Sequence, residues 1–431
     1  MSKNIETIAL HSGQQPDPTT GSRAVPIYQT TSYNFKNSEH AANLFALKEF
    51  GNIYTRIMNP TTDVLERRLA ELEGGSAALC TASGMSAIFL AIHTICGVGD
   101  HIVSSASLYG GTDTLFRHTL PKTGIKVDFI EDMDGEKIRA KITAKTKLIY
   151  LETVGNPKND VLDIADITKT AKELGIPVMI DNTFAPAIFK PIEHGVNIVV
   201  HSLTKWIGGH GTSVGGALID GGNFDWGVGK FAEFTEADDS YHGLKYWDVF
   251  GDFPDLGNVA FAIKARVQGL RNIGMSLSPT NAFNIIQGFE TLPLRMKEHL
   301  KNARILAEHL KDHKQINWVN YNGFKDHPYY ENANKYLNGN FPSVFTFGIE
   351  GGYERAEAFI NKVKLCSHLA NVGDAKTLII HPASTTHQQL NAEQQLKAGV
   401  KPELVRVSVG LENIADIIAD FDQALNAKEG A

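Results

Sequence analysis

The sequence predicts an α/β fold, with a mostly parallel sheet covered by helices in a large domain and a smaller C-terminal α/β domain behind it. Short apolar stretches at 77–81, 101–104, 126–130, 148–151, 178–180 and 198–200 alternate with helical spacing, the pattern of a sheet built by crossover connections. The ends of these stretches collect an aromatic, an asparagine, an aspartate and a lysine, and open α/β sheets present ligands at such a rim. A second, shorter series of strand and helix patterns follows a long helical stretch that begins near residue 260.

Residues 1–62 are polar and irregular, with one short helical piece around 38–50. A segment without its own core must lie against the body or a partner subunit, so it is expected to form an arm. It ends in YTRIMNPT, where an extended strand would turn Tyr54 and Arg56 to the same side. A phenol beside an arginine can clamp a phosphate; a solvated loop arginine is the alternative.

The large domain, 63–262, opens with helical spacing at 61–73 closed by two glycines. Strand 77–81 then leads through Ser83, Gly84 and Met85 into a helix at 86–95. The first N–H groups of that helix can bind an anion, or Ser83 is an ordinary cap. Later strand ends carry Tyr109, then Asn156 in ETVGNP, then Asp181 in DNTFA, then Ser202, Thr204 and Lys205 in HSLTKW. Lys205 ends a β-branched run, sits between small hydroxyls and precedes glycines, which suits a Schiff-base lysine anchoring pyridoxal phosphate. A solvated lysine before a flexible loop fits that stretch alone equally well. A Walker-type loop does not, because GGHGTSVGG lacks the Gly-Lys-Ser/Thr ending.

Each rim residue meets one need of pyridoxal phosphate. Tyr109 offers a face for stacking, Asn156 a donor to the ring oxygen, Asp181 a carboxylate for the ring nitrogen and Lys205 the amine. Singly, Asp181 reads as a helix cap, Asn156 as a turn residue and Tyr109 as a core aromatic; together, in chain order, those readings become strained.

Past an aromatic and acidic loop at 231–255, Ser278 and Pro279 mark a helix start, and Pro293 is expected to kink its continuation to about residue 311. The small domain, 263–431, shows strands at 343–349, 377–380 and 404–409 and helices at 354–363 and 414–425. Its polar features are Asn371, Asp374, His381, His387 and Arg406. Arg406 stands among alternating valines in VRVSVG and needs an anion, either a substrate carboxylate or a structural salt bridge.

With 431 residues, 42% hydrophobic and 21% charged, the chain can bury a large core, and a net charge of -7 gives no basic field for nucleic acid. Cys80, Cys96 and Cys366 form no CxxC pair and read as reduced core thiols, with no metal site and no disulfide framework. The opening MSKNIETIALHSG lacks the apolar core of a signal peptide, and no stretch is long and apolar enough for a membrane. A cytoplasmic protein is expected.

Through HSGQ, YTRIMNPT, ASGMSA, LYGGT, ETVGNP, DNTFA, HSLTKW, HPASTTH and RVSVGLE, the chain resembles the Cys/Met-metabolism group of fold-type I pyridoxal-phosphate enzymes, with an aspartate-aminotransferase-like fold. The resemblance covers nearly the whole length. It implies that Lys205 binds the cofactor covalently, Asp181 pairs with the ring nitrogen and Tyr109 stacks on the ring. Ser83, Gly84, Met85, Ser202 and Thr204 would hold the phosphate, with Tyr54 and Arg56 added from a neighbouring subunit. Arg406 and Asn156 would bind the substrate α-carboxylate, with Asn371 and Tyr54 also at the substrate. A homotetramer made of dimers is implied. Within the family, ANVGDAKTLIIHPASTTHQQL, YHGLKYWDVFG and the insertion NGFKDHPYY are similar to the O-acetylhomoserine sulfhydrylase branch. Gly111 stands where methionine γ-lyases carry a cysteine. The implied reaction is γ-replacement, O-acetyl-L-homoserine and sulfide giving L-homocysteine and acetate in methionine biosynthesis. O-succinylhomoserine as ester, cysteine as nucleophile, γ-elimination, and a cofactor-free binding protein are the alternatives.

Overall fold

A computed structural model describes residues 3–427 except Pro157, His387, Leu390 and Ala398. The proline of ETVGNP and the second histidine of HPASTTH therefore lie outside the described residues.

Seven strands form the larger sheet: β1 (Ala77–Thr81), β2 (His101–Ser105), β3 (Lys126–Ile130), β4 (Thr146–Glu152), β5 (Val178–Asp181), β6 (Ile198–Ser202) and β7 (Gly216–Asp220). Their spatial order is β1-β7-β6-β5-β4-β2-β3. Only β7 runs against its neighbours, β1 and β6. Successive side chains alternate between two apolar layers. Ile149, Leu151, Val178, Ile180 and Val199 face one layer. Leu148, Tyr150, Met179, Ile198 and Val200 face the other. A sheet buried on both faces explains why these strands read as continuous apolar runs.

β7 is hidden in the sequence because it opens on Gly216 at the end of a glycine-rich stretch. A Cβ there would stand 2.0 Å from the carbonyl oxygen of Ser83, so glycine is what lets the two segments touch. The flanking helices start and stop as their residues dictate. Asn59 caps Pro60–Glu73 by accepting the Thr61 N–H, and Gly74 ends it at φ 76. Ser83 caps Gly84–Ile95 by accepting the Ser86 N–H.

A second sheet, in the order β10-β11-β12-β9-β8, is formed by β8 (Ile316–Asn320), β9 (Val344–Ile349), β10 (Ser367–His368), β11 (Leu378–Ile380) and β12 (Leu404–Ser408). β8 was not expected: it is a half-exposed edge strand, INWVN, whose polar residues hide the pattern. The same holds for the helix Tyr330–Leu337.

Pro293 does not kink a continuing helix. Pro279–Glu290 ends at Thr291, and a new helix, Leu292–Lys311, starts with Pro293 in its first turn, where a missing N–H costs nothing. Helix Pro279–Glu290 packs Ala282, Ile285, Ile286 and Phe289 into the core of the large sheet, and Leu292 and Met296 follow it there. Ala303, Leu306, Ala307 and Leu310, further along the second helix, belong to the core of the small sheet. The chain thus changes core within Leu292–Lys311.

The arm is partly fastened to its own body. The Arg68 guanidinium, fully buried, donates to the carbonyls of Ser12 and Leu10 and to the side chain of Gln14. Further along, Phe35, Phe45, Phe50 and Tyr54 are exposed.

Helix Pro279–Glu290 reaches the loop after Lys205 because Gly288 has no side chain. A Cβ there would lie 1.9 Å from the Gly208 oxygen. Gly288→Ala is expected to destabilise the protein by about 1–3 kcal/mol, as overpacked sites do. Urea unfolding followed by fluorescence checks this; an unchanged midpoint would show that the loop gives way freely.

Candidate active site

β4, β5 and β6 deliver their last residues side by side. Asp181 ends β5 and accepts the Thr183 N–H at 2.9 Å. Burial pushes its carboxyl pKa up, while Thr183 and the charges of His201 and Lys205 hold it back. Lys205 follows β6 in a turn whose amide donates to Ser202 O. Its amine donates to Asn371 Oδ1, from the loop between β10 and β11. Burial and the nearby Arg406 charge bring the lysine down to about 8, with Asp181 opposing. A neutral amine is therefore available near neutral pH.

Arg406 lies on β12 between Ile380 of β11 and Thr346 of β9. Among the described residues no carboxylate pairs with it, so the structural salt bridge is not what holds this arginine. Burial lowers its pKa, and Tyr109 is the neighbour that counters this. A half-buried guanidinium left without an anion, close to a lysine amine, is suited to receive a carboxylate.

Tyr109 is no core aromatic: half of its surface is exposed, and its N–H donates to Glu152 Oε1 at 2.7 Å. The ring folds back over Gly111, where a Cβ would stand 2.6 Å from it. Asn156 is buried in the loop after β4, which is tied to the Tyr109 segment by the Ser107 hydroxyl donating to Asp160 at 2.6 Å.

Ser83, Gly84 and Met85 open the helix Gly84–Ile95, whose first amides lack intrahelical acceptors. Gly84 approaches the end of β6 so closely that a Cβ would be 2.9 Å from Ser202 Cβ. Ser202 therefore lies beside the helix start. Thr204 shares hydrogen bonds with both the N–H and the carbonyl of Gly215, so its hydroxyl also shapes the turn.

Tyr54 and Arg56 differ from expectation in local shape. They sit in a turn closed by the Ile57 and Met58 amides on Tyr54 O, not in an extended strand. The guanidinium lies 5.3 Å from the Tyr54 ring centre and bonds the Arg271 carbonyl. The pair lines a surface cleft of about 290 Å³ with Gln29, Thr30, Thr31 and Pro279. Its contacts do not lead to Lys205, Asp181 or Arg406 of the same chain.

Sequence reasoning missed the groups that hold this site. Arg295, enclosed behind Lys205, donates to the carbonyls of Trp206, Ile207 and Gly288 at 2.8, 3.3 and 2.7 Å, and burial brings it to about 10. Beside Asp181, His201 and Glu73 meet at 2.7 Å, and Asn182 donates to the same carboxylate. For Arg295 and His201 the available signal was a polar residue inside an apolar run, LPLRM and NIVVHS. Among the described residues, no group of His, Cys, Asp and Glu could hold a metal, and no helix is long and apolar enough to cross a membrane.

Phosphate donors at a helix start, a carboxylate, an exposed aromatic face and a lysine of lowered pKa are the donor set of pyridoxal phosphate, and the close glycine contacts leave it reachable. Residues 6–426 match the family of Cys/Met metabolism PLP-dependent enzymes. The chain belongs to that family. This Cys/Met-metabolism enzyme accordingly uses pyridoxal phosphate. It is 59% identical over 424 residues to the O-acetyl-L-homoserine sulfhydrylase of Leptospira meyeri, covering 97% of this chain and 96% of the relative. A Campylobacter jejuni structure, provisionally an O-acetylhomoserine (thiol)-lyase and containing a pyridoxyl-lysine phosphate, superposes with a TM-score of 0.93 at 41% identity over 99% of this chain and 100% of that one. Cystathionine gamma-lyase from Lactobacillus plantarum gives 0.83 at 30% identity over 98% of both.

The electrostatics of Lys205 can be read without the cofactor. In protein stripped of it, acylation of Lys205 by an amine reagent is expected to rise with a midpoint near pH 8, below an ordinary lysine. Peptide mass analysis across pH measures this. A midpoint above 10, the ordinary range, would contradict the environment described.

Proposed function

We propose that this enzyme is an O-acetylhomoserine sulfhydrylase, converting O-acetyl-L-homoserine and sulfide to L-homocysteine and acetate. The observation that carries the reading is the meeting of Lys205, Asp181 and an unpaired Arg406 at one rim. The names of its relatives support the choice of ester.

Pyridoxal phosphate supplies an electron sink for charge at the substrate carbons. Lys205 would be its covalent anchor, and its amine, when free, would take the substrate α-proton and carry protons between neighbouring carbons. The lowered lysine pKa suits that general-base work. Asp181 would present a carboxylate to the ring nitrogen, and Tyr109 would cover a ring face. Ser83, the Gly84 and Met85 amides, Ser202 and Thr204 would receive the phosphate. Arg406 and Asn156 hold the α-carboxylate, with Asn371 and Tyr54 beside the substrate. Acetate leaves the γ-carbon as its anion and sulfide takes its place; counted from hydrogen sulfide, one hydrogen stays on the product thiol and the other is released as a proton.

In this reading the chain works as an arm (1–62), a cofactor domain (63–262) and a small domain (263–431), in a cytoplasmic homotetramer of paired dimers. Exposure of Tyr54 and of the arm's phenylalanines supports a neighbouring copy as their place. So does the direction of the Arg56 contacts, away from its own Lys205.

Purified enzyme given O-acetylhomoserine and sulfide should form homocysteine faster than with the succinyl ester, and Lys205→Ala should lower the rate by about 1,000-fold or more, roughly 4 kcal/mol of barrier. Release of 2-oxobutanoate without sulfide, in place of homocysteine, would assign a lyase instead.

Mixing subunits tests the shared site. Arg56→Ala and Lys205→Ala proteins, each inactive at limiting cofactor, should regain activity together after exchange, because each mixed dimer then holds one intact site. No recovery, with exchange verified by mass, would place Arg56 at its own subunit's site.

A further inference from the structure

Glu152 is a buried carboxyl that the proposed mechanism does not use. It ends β4 directly opposite Asp181 of β5 in the parallel register, so the two side chains leave the sheet on the same face. It is 8% exposed, and its Oε1 accepts the Tyr109 N–H at 2.7 Å.

Two carboxylates this close in a desolvated place cannot both ionise without a large penalty. The surroundings decide which one keeps the proton. Asp181 has a lysine and a histidine near it, together with the Thr183 donor. Glu152 has the Tyr109 amide as its donor, while Asp181 and Asp160 both add negative charge. Tyr150, preceding it on the same face of β4, is itself driven towards its neutral form by burial and by both carboxyls. Burial drives the Glu152 pKa far above the carboxylate range and the charges of Asp181 and Asp160 add to this, so that the acid form prevails although the Tyr109 N–H by itself favours the carboxylate.

We propose that Glu152 is the protonated member of a carboxyl pair with Asp181, and that in this form it is a positioning residue for Tyr109. The neutral acid leaves the negative charge on Asp181, where the ring nitrogen needs it. Its carbonyl oxygen fixes the Tyr109 amide and hence the start of the segment that carries the ring. This rests on the cofactor arrangement proposed above, but the protonation state does not.

Infrared difference spectra of cofactor-free protein at neutral pH separate the two. Subtracting Glu152→Gln from wild type should leave the carbonyl stretch of a protonated carboxyl. A carboxylate stretch in its place would overturn the proposal. In the holoenzyme, Glu152→Gln keeps an acceptor for the Tyr109 amide and should hold kcat and KM within about threefold of wild type. Glu152→Met removes the acceptor, and should weaken the circular dichroism of the bound cofactor's visible band and cut kcat by up to about 100-fold, as misplacement does. Equal damage in both variants would remove the positioning role. No visible band in any of the proteins, with the infrared result intact, would count against the cofactor arrangement and leave the carboxyl pair standing.

Discussion

Lys205 keeps its amine where water cannot fully solvate a charge, and much of the surrounding structure follows from that. An amine desolvated beside a fixed arginine gives up its proton readily, which is what makes it a nucleophile and a base. The same desolvation would be costly for Asp181 without its threonine donors, and for Arg295 without three carbonyls. Ionisable groups at this rim are held by main-chain donors and acceptors more than by opposite charges. The arrangement leaves Arg406 with its charge unspent, ready for an anion that arrives from outside.

The turn that bears the lysine is gripped from two sides. Arg295 and helix Pro279–Glu290 press on one side through Gly208 and Gly209. On the other, Ala375 N–H bonds Gly209 O and Gly373 lies against Trp206. Asn371, which meets the lysine amine, belongs to the second of these. Groups from the small sheet and the lysine from the large one are therefore set relative to each other by close approaches at Gly209 and Gly373.

The large sheet was legible because its strands are buried on both faces and read as apolar runs, and its rim residues because each stands immediately after such a run. β7 was not, since its first residue is a glycine chosen for contact with Ser83 rather than for strand propensity. β8 was hidden for the opposite reason: an edge strand half in water carries no run at all. Lys205, Asp181 and Arg406 announced themselves by chemistry. Arg295, Glu73 and His201 did not, because their partners are backbone atoms or residues far away in sequence, which no local pattern records. Tyr54 and Arg56 were recognised as a pair, but their turn is set by amide bonds within YTRIM that the extended reading overlooks.

The helix Leu292–Lys311 gives one end to each apolar core. Its N-terminal turns cannot loosen without uncovering the large sheet, nor its last turns without uncovering the small one. Because one helix packs into both cores, unfolding of either sheet's core takes away a surface that the other uses. The two sheets are thereby coupled through packing rather than strung as two beads on a tether.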